Sequence, residues 1–196
     1  MKKILIVFYS VHNGTKQLAE KIAQGVIESG ADVMLRTVPR VGPLTEKRES
    51  LQQDNDIPFV TKEDVVKCDG IILGSPTRFG NMAAPLKYFV DTLAQEWINH
   101  ELIGKAAGVF CSTSSLHGGQ EATLLTMMVP LMHLGTVIVS LPYKYHDVNH
   151  TKSGGTPYGA THWSDHNQAP NLTDEEIRLC HNYAEYFVEI TTRLSS

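Results

Sequence analysis

Short apolar segments alternate with amphipathic helical patterns along this chain, and that alternation restricts its possible folds more than any other feature. Strands are predicted at residues 3–9, 32–38, 70–75, 105–111 and 136–141. Helical patterns begin at Lys16, after an N-cap at Thr61, at Pro85, near Gln120, and at Thr173, which opens a capping box with Glu176. Gly30 is predicted to end the first helix, and Pro130 to end or kink the helix that begins near Gln120. Strands that alternate with helices in this way predict an α/β fold built on a parallel sheet.

Length, charge and hydropathy limit the classes of protein to which the chain can belong. Its 196 residues predict a single domain over 1–196, with excursions from the core at 39–59 and 142–170. The second excursion has no periodicity, and loops of that length are often functional. A net charge of −4 without a Lys/Arg run argues against nucleic-acid binding. No apolar run approaches the roughly 18 residues of a membrane span.

Cysteine usage indicates a reducing compartment. Cys68, Cys111 and Cys180 are widely spaced and include no C-x-x-C pair, which argues against a zinc ribbon or thioredoxin chemistry. We therefore predict buried free thiols in a cytoplasmic protein. A reactive Cys111 beside the functional site is the alternative.

Four histidines form two H-x-x-x-H pairs, His146 with His150 and His162 with His166. Imidazoles at this spacing can ligate a metal ion together. Both pairs lie in the aperiodic segment, where no helix is predicted to present them side by side. We predict no bound metal.

A first loop connects the first predicted strand to the first helix and consists of Ser10, Val11, His12, Asn13, Gly14 and Thr15. It ends at a helix N-terminus, where free N–H groups and the helix dipole favour an anion. Asn13 and Gly14 let backbone N–H groups approach a phosphate, and Ser10 and Thr15 add hydroxyl donors. No G-x-G-x-x-G motif is present, so a ligand with one terminal phosphate, such as FMN, fits better than a dinucleotide. An ordinary capping turn is the alternative.

A second loop follows the third predicted strand and consists of Pro76, Thr77, Arg78, Phe79 and Gly80. In a doubly wound sheet, ligands bind at the carboxyl ends of the strands where the strand order reverses. This loop offers aromatic surface, a cation and a tight backbone turn, as an isoalloxazine ring requires. We predict that Arg78 stabilises the phosphate or the ring edge, which becomes anionic on two-electron reduction. A surface arginine without a ligand is the alternative.

A third loop follows the fourth predicted strand and consists of Ser112, Thr113, Ser114, Ser115, Leu116, His117 and Gly118. Its backbone can supply donors to the pyrimidine edge of a flavin, although loops of this composition are common. On residue type alone, Trp97 and His133 at predicted helix ends are packing residues.

These motifs resemble those of the WrbA family of flavodoxin-like NAD(P)H:quinone oxidoreductases. The resemblance extends over essentially the whole chain and rests on P-T-R-F-G-N-M at 76–82, S-T followed by G-G-Q-E, the stretch with His133 and Gly135, and G-G-T-P-Y-G-A-T. It implies a flavodoxin-like doubly wound five-stranded parallel sheet with helices on both faces. It also implies a homotetramer that binds FMN and reduces quinones by two electrons with NADH or NADPH. The FMN would carry the chemistry without a catalytic side chain.

The same resemblance assigns residues to the site. The first loop would bind the phosphate, Thr77 to Phe79 would hold the ring, the third loop would also hold FMN, and Trp97 and His133 would line the site. His12 stands where the family usually has a Tyr linked to nicotinamide binding, and Leu116 and His117 stand where the family is mostly Gly. A flavodoxin-type one-electron carrier, which profits from an acidic docking face, and a non-catalytic flavin-binding regulatory protein are the alternatives.

Overall fold

The computed structural model describes residues 1–43, 57–164 and 171–194. Its helices pack on both faces of a central β-sheet. The strands are β1 (Lys3–Phe8), β2 (Asp32–Thr37), β3 (Gly70–Arg78), β4 (Asn81–Met82), β5 (Ala106–Thr113), β6 (Val137–Ile138) and β7 (Thr161–Trp163). The helices are α1 (Gly14–Glu28), α2 (Lys62–Lys67), α3 (Ala84–Asp91), α4 (Ala94–Ile98), α5 (Gln120–His133), α6 (His146–His150) and α7 (Asp174–Leu194).

The strand order is that of a doubly wound sheet. Its main path runs β2-β1-β3-β5-β6, and all neighbours on this path pair in parallel. The direction of winding reverses between β1 and β3, so a ligand crevice is expected at their carboxyl ends. The predicted α/β fold with a parallel sheet is confirmed.

The first strand shows why helices cover both faces of the sheet. Ile4 and Ile6 pack on one face with α1 and α7, whereas Leu5 and Val7 pack on the other with α3 and α5. All four side chains are completely buried. Because successive side chains of a strand point to opposite faces, a strand buried on both sides reads as a continuous apolar run.

Two short strands occupy the fifth position of the sheet, where the sequence predicts one strand at 136–141. β6 pairs with the start of β5, at Ala106 and Ala107, and β7 pairs with its end, from Cys111 to Thr113. The segment between them leaves the sheet and contains α6. The excursion predicted at 142–170 therefore includes a sheet strand, which three residues are too few to reveal by periodicity. Its last residues, 165–170, lie outside the described residues.

Local capping signals end and begin helices where the sequence predicts them. Gly30 follows α1 with φ 78°, the left-handed conformation that glycine adopts readily after a helix. At α2, Thr61 Oγ1 accepts from the Asp64 N–H at 3.2 Å, and the Asp64 carboxylate accepts from the Thr61 N–H at 2.9 Å. The predicted N-cap at Thr61 is therefore confirmed as a capping box.

Pro130 lies in the last turn of α5. Pro130 is expected to end or kink its helix, but α5 continues past it to His133. One missing N–H removes one hydrogen bond, and the packing of α5 against the sheet outweighs that loss.

Most of the excursion predicted at 39–59, residues 44–56, lies outside the described residues. Where it returns, Ile57 is buried and Phe59 forms a bridge with Thr37 at the end of β2.

Candidate functional site

The carboxyl ends of β1, β3 and β5 bring three loops to one edge of the sheet. β1 and β3 pair with Phe8 opposite Gly74, and β3 and β5 pair with Pro76 opposite Ser112. Neighbouring parallel strands end at the same edge, so the loops that follow them are adjacent. In the structure the first loop comprises residues 10–15, the second loop extends through β4 and comprises residues 76–82, and the third loop extends to the start of α5 and comprises residues 112–119.

The first loop presents the N-terminus of α1 at this edge. Asn13 has φ 65°, a left-handed conformation that asparagine tolerates. Ser10 Oγ accepts from the Lys16 N–H at 3.4 Å, so this hydroxyl lies over the first turn of the helix. Val11 and His12 are exposed, and the first turn of α1 contains no acidic residue. An anion would therefore meet backbone donors without a repelling carboxylate from that turn.

Thr15 connects two loops in the structure. The sequence suggests that its hydroxyl faces a phosphate, but the residue is only 1% exposed and its Oγ1 lies 2.7 Å from Ser112 Oγ. This hydrogen bond joins the first loop to the base of the third loop. Ser10 is the more accessible of the two hydroxyls that the sequence proposes for a phosphate.

The second loop is a tight hairpin. β3 extends to Arg78, beyond its predicted end at 75, and the chain turns back through Phe79 and Gly80 into β4. Phe79 and Gly80 have φ of 54° and 77°, the positive values of a type I′ turn. The Phe79 side chain is fully exposed, and the exposed Arg78 donates from Nη1 to the Thr77 carbonyl at 2.7 Å. A positive φ is unfavourable for a bulky residue, so the turn holds the Phe79 ring out towards solvent at some cost in backbone strain.

Hydroxyl groups of α5 hold the second loop in place. Thr77 Oγ1 lies 2.7 Å from Thr123 Oγ1, and Thr126 Oγ1 donates to the Gly80 carbonyl at 3.1 Å. A Cβ added to Gly119, where φ is 90°, would lie 3.4 Å from Gly80 Cα, so the second and third loops approach closely. Thr123 and Thr126 are not among the site residues predicted from the sequence, although hydroxyls three residues apart on a helix share one face.

The third loop has a buried base and an exposed tip. At the base, Gln120 Nε2 donates to Thr113 Oγ1 at 3.1 Å. At the turn, the Gly118 N–H donates to the Ser115 carbonyl at 3.0 Å, and a Cβ on Gly118 would lie 2.6 Å from Ser115 Oγ. The exposed residues of the tip are Ser114, Leu116 and His117. Their backbone is open to a ligand at the sheet edge.

Trp97 and His133 lie together in a groove between α3–α4 and α5. Their ring centroids are 5.9 Å apart, and the groove, which is also lined by Asn81 and Met82 of the second loop, has a volume of about 480 Å³. His133 ends α5, and a rise of 1.5 Å per residue places it about 20 Å along the helix from the third loop. The structure thus brings both residues near β4 and separates His133 from the base of the third loop.

A buried histidine–glutamate pair adjoins the first loop and was missed by the sequence analysis. His162 in β7 lies opposite Ser112 in β5, and its Nδ1 is 2.9 Å from Glu176 Oε2. In the sequence, His162 stands out only through its H-x-x-x-H spacing to His166, which lies outside the described residues. Glu176 was recognised as a capping-box residue of α7, and such a motif does not indicate a tertiary partner.

All three cysteines are free thiols buried in the structure. Cys111 is completely buried, and burial raises the pKa of its thiol, so its reactivity as a thiolate is suppressed. Burial likewise raises the pKa of Cys68 to about 11.

Within the ranges that the structure describes, no group of three or more His, Cys, Asp or Glu residues is arranged to hold a metal ion. No helix in those ranges is long and apolar enough to cross a membrane.

The residues at this edge fit a phosphorylated flavin. The N–H groups at the start of α1 and the Ser10 hydroxyl suit a phosphate, and Arg78 and Phe79 of the second loop offer a cation and an aromatic surface at the same sheet edge. At the same edge, the buried Nε2 of His162 has no hydrogen-bond partner among the described residues. Buried polar atoms are usually hydrogen-bonded, so a charged ligand bound at this edge would add a favourable interaction at His162.

Sequence comparisons relate the chain to flavin-dependent reductases. The model of the family described as NADPH-dependent FMN reductase matches residues 2–146, well over half of the chain. A Syntrophobacter fumaroxidans protein named NAD(P)H dehydrogenase (quinone) is 36% identical over 201 aligned positions, which cover 98% of each chain. A Geobacter sulfurreducens protein with the same name is 42% identical over 166 positions, which cover 81% of this chain and 82% of that protein.

Solved structures share the fold. The flavodoxin, WrbA-like protein from Agrobacterium tumefaciens has a TM-score of 0.71 at 18% identity and covers 98% of this chain and 99% of its own. Oxidised flavodoxin 1 from Bacillus cereus has a TM-score of 0.60 at 18% identity, with 96% and 98% covered. At such identities the structures establish the flavodoxin-like fold alone. The family match and the relatives at 36% and 42% identity confirm the resemblance noted from the motifs, and this chain belongs to the NADPH-dependent FMN reductase family.

Proposed function

We propose that this chain reduces quinones by two electrons, with FMN as its cofactor and NADH or NADPH as the electron donor. The observation that carries the proposal is the convergence of three loops at one sheet edge. The first loop presents a helix N-terminus there, and the second carries an exposed cation and an exposed aromatic ring. The names of the relatives that match nearly the whole chain support it. The three buried free cysteines suit a reducing cytoplasm, where we place the reaction.

Each loop has a separate task in the proposed site. The first loop binds the phosphate through backbone N–H groups and the Ser10 hydroxyl, and its exposed His12 is available to the nicotinamide nucleotide. Phe79 and the third-loop backbone hold the ring, and Arg78 balances negative charge at the ring edge. Bound FMN supplies the hydride chemistry between donor and quinone. The protein orients the reactants, and no side chain is required as a nucleophile.

Steady-state oxidation of NADH and NADPH with benzoquinone, after reconstitution with FMN, tests the proposal. We expect oxidation that depends on both FMN and quinone. Calorimetry should show tighter binding of FMN than of riboflavin, because only FMN carries the phosphate that the first loop binds. Failure of the FMN-saturated protein to oxidise either nucleotide in the presence of quinone would contradict the proposed activity.

An anaerobic reductive titration separates the proposed enzyme from a one-electron carrier. The enzyme should pass from the oxidised to the fully reduced flavin without accumulating a one-electron-reduced form. A carrier should accumulate that form. FMN binding without either behaviour would indicate a regulatory flavin-binding protein.

We propose further that the chain acts as a homo-oligomer, a homotetramer by its resemblance to the family, in which the Trp97–His133 groove faces the flavin site of another copy. The distance of His133 from the third loop of its own chain supports this arrangement. So do the large apolar side chains exposed on α3, α4 and α5, namely Tyr88, Trp97, Ile98, Leu125, Val129 and Met132. A patch of such side chains is typical of a surface that meets another protein.

A further inference from the structure

The buried carboxylate of Glu176 is surrounded by hydrogen-bond donors. It accepts, at distances of 2.8 to 3.1 Å, from the Ser153 hydroxyl, the N–H groups of Gly154, Trp163 and Thr173, and Nδ1 of His162. Burial by itself would raise the pKa of Glu176, but the hydrogen bond from His162 and the other donors outweigh burial and lower it. Glu176 is therefore an anion that only accepts hydrogen bonds.

This environment determines which nitrogen of His162 can change its protonation state. Because Glu176 accepts, Nδ1 of His162 carries a proton and donates it. Nε2 is the variable atom, a lone pair in the neutral ring and an N–H in the imidazolium. His162 is 1% exposed, and its Nε2 has no hydrogen-bond partner among the described residues. A buried polar atom without a partner is unfavourable. The same is true of Trp163 Nε1 and His181 Nε2, but the His162 ring also packs against the loop that is proposed to bind a phosphate, so a ligand there can compensate it.

The open edge of the His162 ring faces the first loop. A Cβ added to Gly14, the first residue of α1, would lie 3.0 Å from Cδ2 and 3.6 Å from Nε2 of His162. Since Gly14 has no side chain, the ring packs against the backbone of the turn that presents the free N–H groups of α1. The ring thus lies directly behind the proposed phosphate position.

The charges around the ring favour a proton on it once an anion is bound. The titratable groups at this end of the elements packed against His162 are Asp174, Glu175 and Glu176 on α7, Lys16 on α1 and His12 in the first loop. On β5, Ser112 is the residue paired with His162, and its hydroxyl lies 2.7 Å from that of Thr15. Glu176 bonds the Nδ1 side of the ring. A phosphate in the first loop would add negative charge towards the Nε2 side, so the imidazolium would be held between two anions.

We propose that His162 is a positioning residue for the FMN phosphate, and that it takes up a proton from solution at Nε2 when the phosphate occupies the first loop. The inference rests on the proposed function, because it requires a phosphate at that position. The imidazolium then fixes the first turn of α1 against the ligand through its charge. This makes a buried residue of β7 a determinant of selectivity for FMN over riboflavin.

Calorimetry of FMN and riboflavin binding at pH 8, in two buffers of different ionisation enthalpy, measures the proton uptake. At this pH a phosphate monoester is almost entirely dianionic, since its second pKa is about 6, so protons taken up go to the protein. The wild-type chain should take up protons with FMN and none with riboflavin. His162→Asn keeps a donor near Nδ1 but has no counterpart of Nε2. It should lose the uptake, bind FMN about tenfold more weakly and bind riboflavin unchanged.

Two further variants separate this role from a structural one. His162→Gln, whose amide extends towards the Nε2 position, should regain part of the FMN affinity but no proton uptake, because an amide does not titrate. His181→Asn is the matched control, since His181 Nδ1 also pairs with a glutamate, Glu28, at 3.0 Å and its Nε2 is also buried without a partner. That pair lies at the opposite end of α1, so FMN binding and proton uptake should be unchanged.

The outcomes distinguish this inference from the proposed function. If the wild type prefers FMN to riboflavin but takes up no proton, or if His162→Asn keeps both the uptake and the affinity, the role of His162 is overturned and the phosphate site stands. If the wild type binds riboflavin as tightly as FMN, the proposed phosphate site itself is wrong. If His162→Asn does not fold, the absence of proton uptake by the wild type still overturns the inference. His162→Gln, which also lacks a titrating nitrogen, then decides whether any uptake belongs to His162.

Discussion

At the scale of single residues, neutral hydroxyl pairs connect the loops of the site. Thr15 pairs with Ser112 and Thr77 pairs with Thr123, each at 2.7 Å between the hydroxyl oxygens. Such hydrogen bonds fix the spacing of the loops without adding negative charge where an anion is expected to bind. Arg78, in contrast, is exposed and bonds a carbonyl of its own loop, so its charge is available to a ligand.

Replacement of Arg78 by alanine should weaken FMN binding and leave the fold intact. The side chain is exposed, so the loss should be about fivefold in affinity, the size of one exposed ionic contact. Calorimetric titration with FMN measures it. Lys67→Ala is the control, because Lys67 is an exposed cation at the end of α2, just before β3 begins at the opposite edge of the sheet. Equal FMN affinity and equal turnover in both variants would make Arg78 an ordinary surface charge.

At the scale of elements, α7 compensates for the break between β6 and β7. Val109 lies in β5 beside this break, and its N–H donates to the Tyr183 hydroxyl at 2.9 Å, while that hydroxyl donates to the Val139 carbonyl at 3.3 Å. A Cβ on Gly108 would lie 2.2 Å from Tyr183 Oη, so glycine at this position is required for the contact. A single buried hydroxyl thus satisfies backbone groups that a continuous fifth strand would satisfy.

Removal of the Tyr183 hydroxyl should destabilise the protein. Tyr183→Phe leaves the buried Val109 N–H without a partner, which costs about 1–3 kcal/mol in the free energy of unfolding. Urea denaturation followed by circular dichroism measures this change. Tyr186→Phe, at a half-buried position of the same helix, should change stability by less than about 0.5 kcal/mol. Equal stability of the two variants would show that α7 does not close the break through this hydroxyl.

At the scale of the whole molecule, the site has an open side. The three loops lie at the sheet edge, while α3, α4 and α5 carry exposed apolar side chains, of which Trp97 and Val129 also line the groove that contains His133. Large apolar side chains in such a patch lower the free energy when they are covered. Association of copies would cover this patch and bring a Trp97–His133 groove to a neighbouring flavin, as we propose.

Introduction of a charge into this surface should dissociate the oligomer. Val129 is 59% exposed on α5, and Val129→Glu should yield a smaller species by light scattering and slow quinone reduction, while FMN still binds. Ile27→Glu is the matched control, because Ile27 is 60% exposed on α1 and lies outside the patch. A wild-type chain that is monomeric, or a Val129→Glu variant of unchanged mass, would count against the proposed assembly.

Much of the fold and of the candidate site can be read from local patterns. Apolar runs such as 3–9 and 105–111 predict strands, and capping residues such as Thr61 and Gly30 predict helix ends, because both depend on neighbours a few residues away. The three loops are also local, since each follows a strand directly. Once the strands are parallel, their carboxyl ends must share an edge.

Contacts between residues distant in sequence required the tertiary structure. No local pattern indicates that β7 completes the sheet beside β5, that Tyr183 closes the break before it, or that Glu176 reaches back to His162. The same holds for the separation of His133 from the third loop, which follows from the length and direction of α5. The sequence alone determined the alternation of elements and the chemistry of each loop, because these depend on local propensity. Tertiary structure decided which polar groups are buried together, because that depends on packing across the whole chain.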